Sequence, residues 1–207
     1  MIRLGYRHLT TVAALTLVLA ACGSAPTTRF YTLVAPAATE VAPSSASAGA
    51  AFQFEMLPVS VPAQVDQPPL VVRQGDQSVA VLQGERWIAP LGDEVRGALS
   101  ADLARDFNAQ DVSGLPAGSK PVMRIKLDVR RFDSMPGSYA LIDAAWSVRP
   151  LKGGEPLACT SRISEPVGSG FDALVQGHQR AIARLAGQIG AAAGALAAGN
   201  KPVCPPG

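Results

Sequence analysis

Apolar residues fall into three patterns along this chain: one unbroken run near the start, stretches that alternate with polar residues, and stretches spaced by three and four. The unbroken run is Leu9 to Ala21, preceded by Arg3, Arg7 and His8. It has about the length of a signal-peptide core and falls short of the roughly 20 apolar residues a bilayer span needs. Alternation begins with RFYTLVA, Arg29 to Ala35, an aromatic and β-branched run that predicts a first strand. Pro36 to Ala50 is rich in Ala, Ser and Pro. It cannot offset the entropy of ordering itself, which predicts a disordered loop near 36–50. FQFEMLPVSVP then sets Phe52, Phe54 and Met56 on one side. Pro58 and Pro62 predict a strand that ends at, or runs along, a sheet edge. Leu70 to Val72 and Val79 to Leu82, separated by Gly75 and Asp76, predict a hairpin.

The period changes at Pro90, which suits a helix start. Asp93 and Glu94 fit the positive end of the dipole, and Leu91, Val95, Leu99, Leu103 and Phe107 form one stripe. Three strands follow. One carries Met123, Ile125, Leu127 and Val129 on a face, the next Ala140, Ile142, Ala144, Trp146 and Val148, the third Leu157, Cys159 and Ile163. Pro136 with Gly137, and Gly153 with Gly154, turn between them, so the three predict an antiparallel meander. A closing helix starts at a capping box, Ser169 with Asp172, and runs through Phe171, Leu174, Val175, His178, Ile182, Leu185, Ile189, Ala192 and Leu196. Gly199, Asn200 and Pro202 stop it. Its spacing suits its own sheet or a partner helix. The whole predicts one α+β domain over 29–199, a mainly antiparallel sheet with two long helices packed on one face, and a tail over 200–207.

The order Leu19, Ala20, Ala21, Cys22 resembles a bacterial lipobox. That resemblance implies removal of residues 1–21 as a signal peptide and acylation of Cys22, with 22–28 left as a polar tether. A plain signal peptide with an accidental cysteine is the alternative. Acyl chains hold a membrane at ~0.8 kcal/mol per buried methylene, so two or three anchor firmly. In lipoproteins of diderm bacteria an Asp after the acylated cysteine retains the protein at the inner membrane. Gly23 stands there in this chain, which implies the periplasmic face of the outer membrane.

Loss of Arg3 and Arg7 lowers the 18 basic residues to the number of acidic ones, 16. A neutral chain has no field to gather nucleic acid. The basic set Arg124, Lys126, Arg130 and Arg131 invites a lipid-headgroup or nucleic-acid reading, but its first three members alternate with apolar residues and with Asp128 and read as the wet face of an amphipathic strand. Cys159 and Cys204 remain after the cut and would enter an oxidising compartment. A disulfide there closes a loop of about 46 residues, worth at most ~4 kcal/mol in the chain-entropy model; two free thiols are the alternative. The one histidine left, His178, lies on an apolar helix face and has no second histidine with which to build a metal site or triad. P-loop, GxGxxG and HExxH motifs are missing from the sequence. No enzyme, cofactor or metal is expected. Exposed contact candidates are Tyr31, Pro68, Pro69, Leu70 and Trp87, because prolines and aromatics near a sheet edge are common contact groups; a core position for Trp87, just before a helix, is the alternative.

FYTL soon after the lipobox, the polar loop, VSVPAQVDQPPLVVRQG and ERWIAPLGDEVRGALSADLARDF together resemble the auxiliary lipoproteins of ABC-type transport systems, the paraquat-inducible protein C (PqiC) group. The likeness runs from Tyr31 to the final helix and is most specific at Leu70 to Arg73, Trp87, Pro90 and Leu91. The cysteine pair is not part of it. The resemblance implies a non-catalytic lipoprotein beside an inner-membrane component and a periplasmic MCE-domain protein, in lipid traffic and envelope integrity. A lipid-binding carrier and a cell-wall anchor are the competing readings, and a homo-oligomer stays open.

Overall fold

A computed structural model describes residues 27–36, 52–116 and 119–206. The expected signal peptide, Cys22 and nearly all of the 36–50 loop lie outside the described residues. Eight strands and two helices follow in the order β1 (Arg29–Tyr31), β2 (Gln53–Met56), β3 (Pro69–Arg73), β4 (Val79–Trp87), α1 (Leu91–Phe107), β5 (Gln110–Asp111), β6 (Val122–Met135), β7 (Tyr139–Pro150), β8 (Leu157–Pro166) and α2 (Phe171–Ala197).

Period-two alternation builds the long strands. Met123, Ile125, Leu127 and Val129 are buried on one face of β6, while Lys126, Asp128 and Arg130 are exposed on the other. β6, β7 and β8 form the expected antiparallel meander. The sheet is mainly antiparallel, as expected, with parallel pairings added at its β2 side. Its order is β5-β2-β6-β7-β8, and β2 runs parallel to both neighbours. A second sheet, β1-β4-β3, pairs β1 with β4 in parallel and closes the expected β3–β4 hairpin. Parallel partners require long crossovers, so alternation along each strand could not reveal them. β2 stops before Pro58, then rejoins the edge of β6 through the Ser60–Asp128 bridge.

β6 takes up one extra residue at the register shift between Val129 and Arg131. A one-residue slip exchanges the two faces of a strand. Phe132 and Ser134 therefore point into the protein beyond the bulge, where odd positions did before it.

α2 lies across β7 and β8 and reaches β6; α1 packs beside it toward β5. Small residues on α2 permit these approaches. A Cβ at Gly190 would collide with the Phe107 ring of α1, and one at Gly177 would overlap Val167 and sit 3.0 Å from Ala140 Cβ. The capping box does not form. Gly170, at φ 94°, is the N-cap residue of α2 and no side chain caps the helix. Glu94 is buried instead of solvated at the α1 dipole: its Oε2 accepts from Thr32 Oγ1 at 2.8 Å and Leu33 N at 2.7 Å.

At the other chain end, Cys204 joins Cys159 of β8 with Cα atoms 5.5 Å apart, a normal span for a bridge. Alkylation of the unfolded, unreduced protein is expected to label neither cysteine. Cys204→Ser should lower the unfolding free energy in urea by about 2–4 kcal/mol through the released loop. Full labelling without reductant would show that packing alone holds the tail.

Candidate functional site

Four of the five contact candidates are buried, which corrects the expectation that they are exposed. Tyr31 and Trp87 are register partners on β1 and β4, and Trp87 is 5% exposed. Tyr31 Oη donates to Glu85 Oε2 at 2.6 Å, and burial followed by this hydrogen bond raises the phenol pKa. Pro69 and Leu70 are buried beneath the hairpin; Pro68 alone stays exposed, its carbonyl accepting from Trp87 N at 2.8 Å. Residue type could not separate the two cases, because a core and an interface use the same side chains.

Trp87 meets Phe132 edge to face, with centroids 6.1 Å apart. Phe132 stacks on His178 at 3.9 Å, and His178 Nε2 lies 2.8 Å from Ser134 Oγ. That last spacing is one a nucleophile and its base could share. Here it is sealed: His178 has no exposed surface, burial pushes its pKa down to about 3, and Nδ1 has no partner among the described residues. Among the described residues no third polar group holds the ring, and Ser134 is itself buried. Among the described residues no cluster of His, Cys, Asp and Glu could hold a metal, and no helix is long and apolar enough to cross a membrane.

The solvent face of the larger sheet offers more. A trough of about 540 Å³ runs over it. Ala145, Ser147, Ala158 and Thr160 make a floor of short side chains, Lys126 and Arg130 stand on β6, and Cys204 with Pro205 close the far side. The disulfide therefore positions one wall. Of the four basic residues noted in the sequence, Arg124 pairs with Glu55 at 3.0 Å and Arg131 pairs with Asp133. Lys126 and Arg130 form no ion pair among the described residues, and Asp128, whose Oδ1 accepts from Ser60 Oγ, stands between them on the same face of the trough. A second depression, of about 470 Å³, lies at the end of α2 between Met123, Leu151 and Leu196, with Lys120 and Lys152 on its rim. The interior itself is filled by a large cluster of side chains from both sheets and both helices, with a smaller one of Val72, Ala140, Val167 and Leu174.

A family model described as the ABC-type transport auxiliary lipoprotein component matches residues 31–190, well over half of the chain. The chain belongs to this family. The match begins at the buried Tyr31 and ends within α2, so it takes in both sheets and the stack between them. Two solved structures share the family member's fold. An uncharacterized protein has a TM-score of 0.59 at 17% identity, covering 80% of this chain and 97% of its own. A protein from Xanthomonas campestris has a TM-score of 0.55 at 19% identity, covering 85% and 96%. No curated protein sequence is close enough to count as a relative.

Two outcomes follow from the buried stack. Protonation of His178 favours the unfolded chain, because the folded pKa near 3 lies below the ordinary 6.5. Its contribution is intact above about pH 6.5 and is lost as pH falls toward about 3. Urea unfolding should show about 1 kcal/mol lost from this group between about pH 7 and pH 5.5. His178→Gln should flatten that part of the profile. Trp87→Ala should cost about 3–5 kcal/mol, read from the same denaturation curves; a variant as stable as the parent would return Trp87 to the contact surface.

Proposed function

We propose that this family member is a non-catalytic docking lipoprotein of an MCE-type transport system, held by acyl chains on Cys22 at the periplasmic face of the outer membrane. The single observation that carries the reading is the family match over residues 31–190. The likeness of FYTL, Leu70 to Arg73 and Trp87 to the PqiC group narrows it to a system with an MCE-domain protein and an inner-membrane component. The packed interior supports docking over carriage, since a carrier needs an apolar cavity that opens to solvent. The trough over β6–β8 supplies a surface for the partner: a floor that admits close approach, and the alternating charges of Lys126, Asp128 and Arg130, with a net positive sign that favours acidic groups.

Crosslinking and affinity purification from membranes test this. The MCE-domain protein should be recovered with the parent chain, and Lys126→Glu with Arg130→Glu should reduce recovery at least about tenfold with an unchanged thermal melt. Cys22→Ala should abolish incorporation of radioactive fatty acid. Continued labelling would remove the anchor, and undiminished recovery by the charge-reversed variant would remove the trough from the interface. Lipid purifying at one per monomer would favour the carrier reading, with the depression beside Leu151 and Leu196 as its seat.

A further inference from the structure

Arg29, Tyr31 and Glu85 lie on one face of the β1–β4 ladder, where Arg29 and Glu85 are register partners and Tyr31 donates to Glu85. The opposite face carries Phe30 and its partner Arg86. Ile88 N donates to the Tyr31 carbonyl at 2.9 Å, so the ladder continues and Ile88 takes the next position on the side of Arg86. Phe30 is 58% exposed and Ile88 61%. Arg86, between them, makes no ion pair among the described residues. An aromatic ring, a branched aliphatic and an unpaired cation on one exposed strand pair match the chemistry of a lipid headgroup boundary.

The chain length to the anchor limits where this face can be. Phe30 lies eight chain steps after Cys22. Fully extended they reach at most about 28 Å, whereas a domain of this size is roughly 40 Å across. β1, where that tether ends, is itself fixed to the body by the residues that follow it. Thr32 and Leu33 are bonded to Glu94, and Gln179 Nε2 donates to the Thr32 carbonyl at 3.1 Å. A lipid surface holding Cys22 therefore meets the part of the domain around β1.

We propose that the face bearing Phe30, Arg86 and Ile88 rests on the membrane surface, with Phe30 and Ile88 at the headgroup level and Arg86 among anionic headgroups. The proposal rests on acylation of Cys22, and that reading is checked separately by the intact mass of the purified chain. Phe30→Trp is made in the full chain, purified from membranes and placed in vesicles of phosphatidylethanolamine and phosphatidylglycerol with brominated acyl chains. Thr160→Trp, in the trough, is the control. Emission from position 30 should be quenched at least about twofold more than from position 160, relative to the parent with Trp87 and Trp146. Phe30→Ser with Ile88→Ser, both exposed, should melt like the parent. Equal quenching at positions 30 and 160 in an acylated chain overturns the proposal, as does quenching only at 160. Absence of acyl mass defeats the anchor alone; the quenching comparison then still decides the face. Position 30 unquenched in vesicles yet crosslinking to a transport protein would assign the face to a protein partner and overturn the lipid reading.

Discussion

One extra residue in β6 governs how the two sheets meet. Before Arg130 the odd positions of β6 enter the core; after it the even ones do, so Phe132 and Ser134 turn inward. Phe132 then stacks on His178 of α2 and receives the edge of Trp87 from β4. The same slip directs Asp133 to the flank, where Arg73 of β3 reaches it at 3.3 Å and Arg131 pairs with it. Without the bulge, Arg131 and Asp133 would face the core and the hairpin would lose its apolar seat. A neutral His178 completes the stack, since a charged ring there would be buried without a counter-ion.

Both ends of the domain are tied by specific bonds as well as packing. Glu94 reaches back from α1 to hold the segment after β1, and Cys204 ties the tail to β8. These ties settle geometry at two surfaces. The first fixes β1, where the proposed tether begins, and the second raises a wall beside Lys126, Arg130 and the short side chains of β7 and β8.

The α+β class, the meander, the β3–β4 hairpin and both helices were legible in the sequence because each depends on local periodicity. The wet face of β6 was legible for the same reason. The parallel pairings of β1 with β4 and of β2 with β6 were not, since nothing in a strand names a partner many residues away. β5, two residues long, is too short to carry a period. Ser169 and Asp172 looked like a cap because the motif is local; Gly170 at the helix start overrode it.

The contact candidates show most clearly where local reading ends. Tyr31, Leu70 and Trp87 were singled out by residue type, and the type is right for either a core or an interface. The sequence by itself determined which positions are apolar and at what period, and hence the elements. It also holds the cysteine and the spacer from which an anchor is inferred. Only the tertiary structure decided that Trp87 turns inward and Phe30 outward on neighbouring strands, because that choice depends on the register between them and on the bulge that delivers Phe132 and His178 beneath the hairpin. Register is a relation between distant segments, fixed by what both can bury at once.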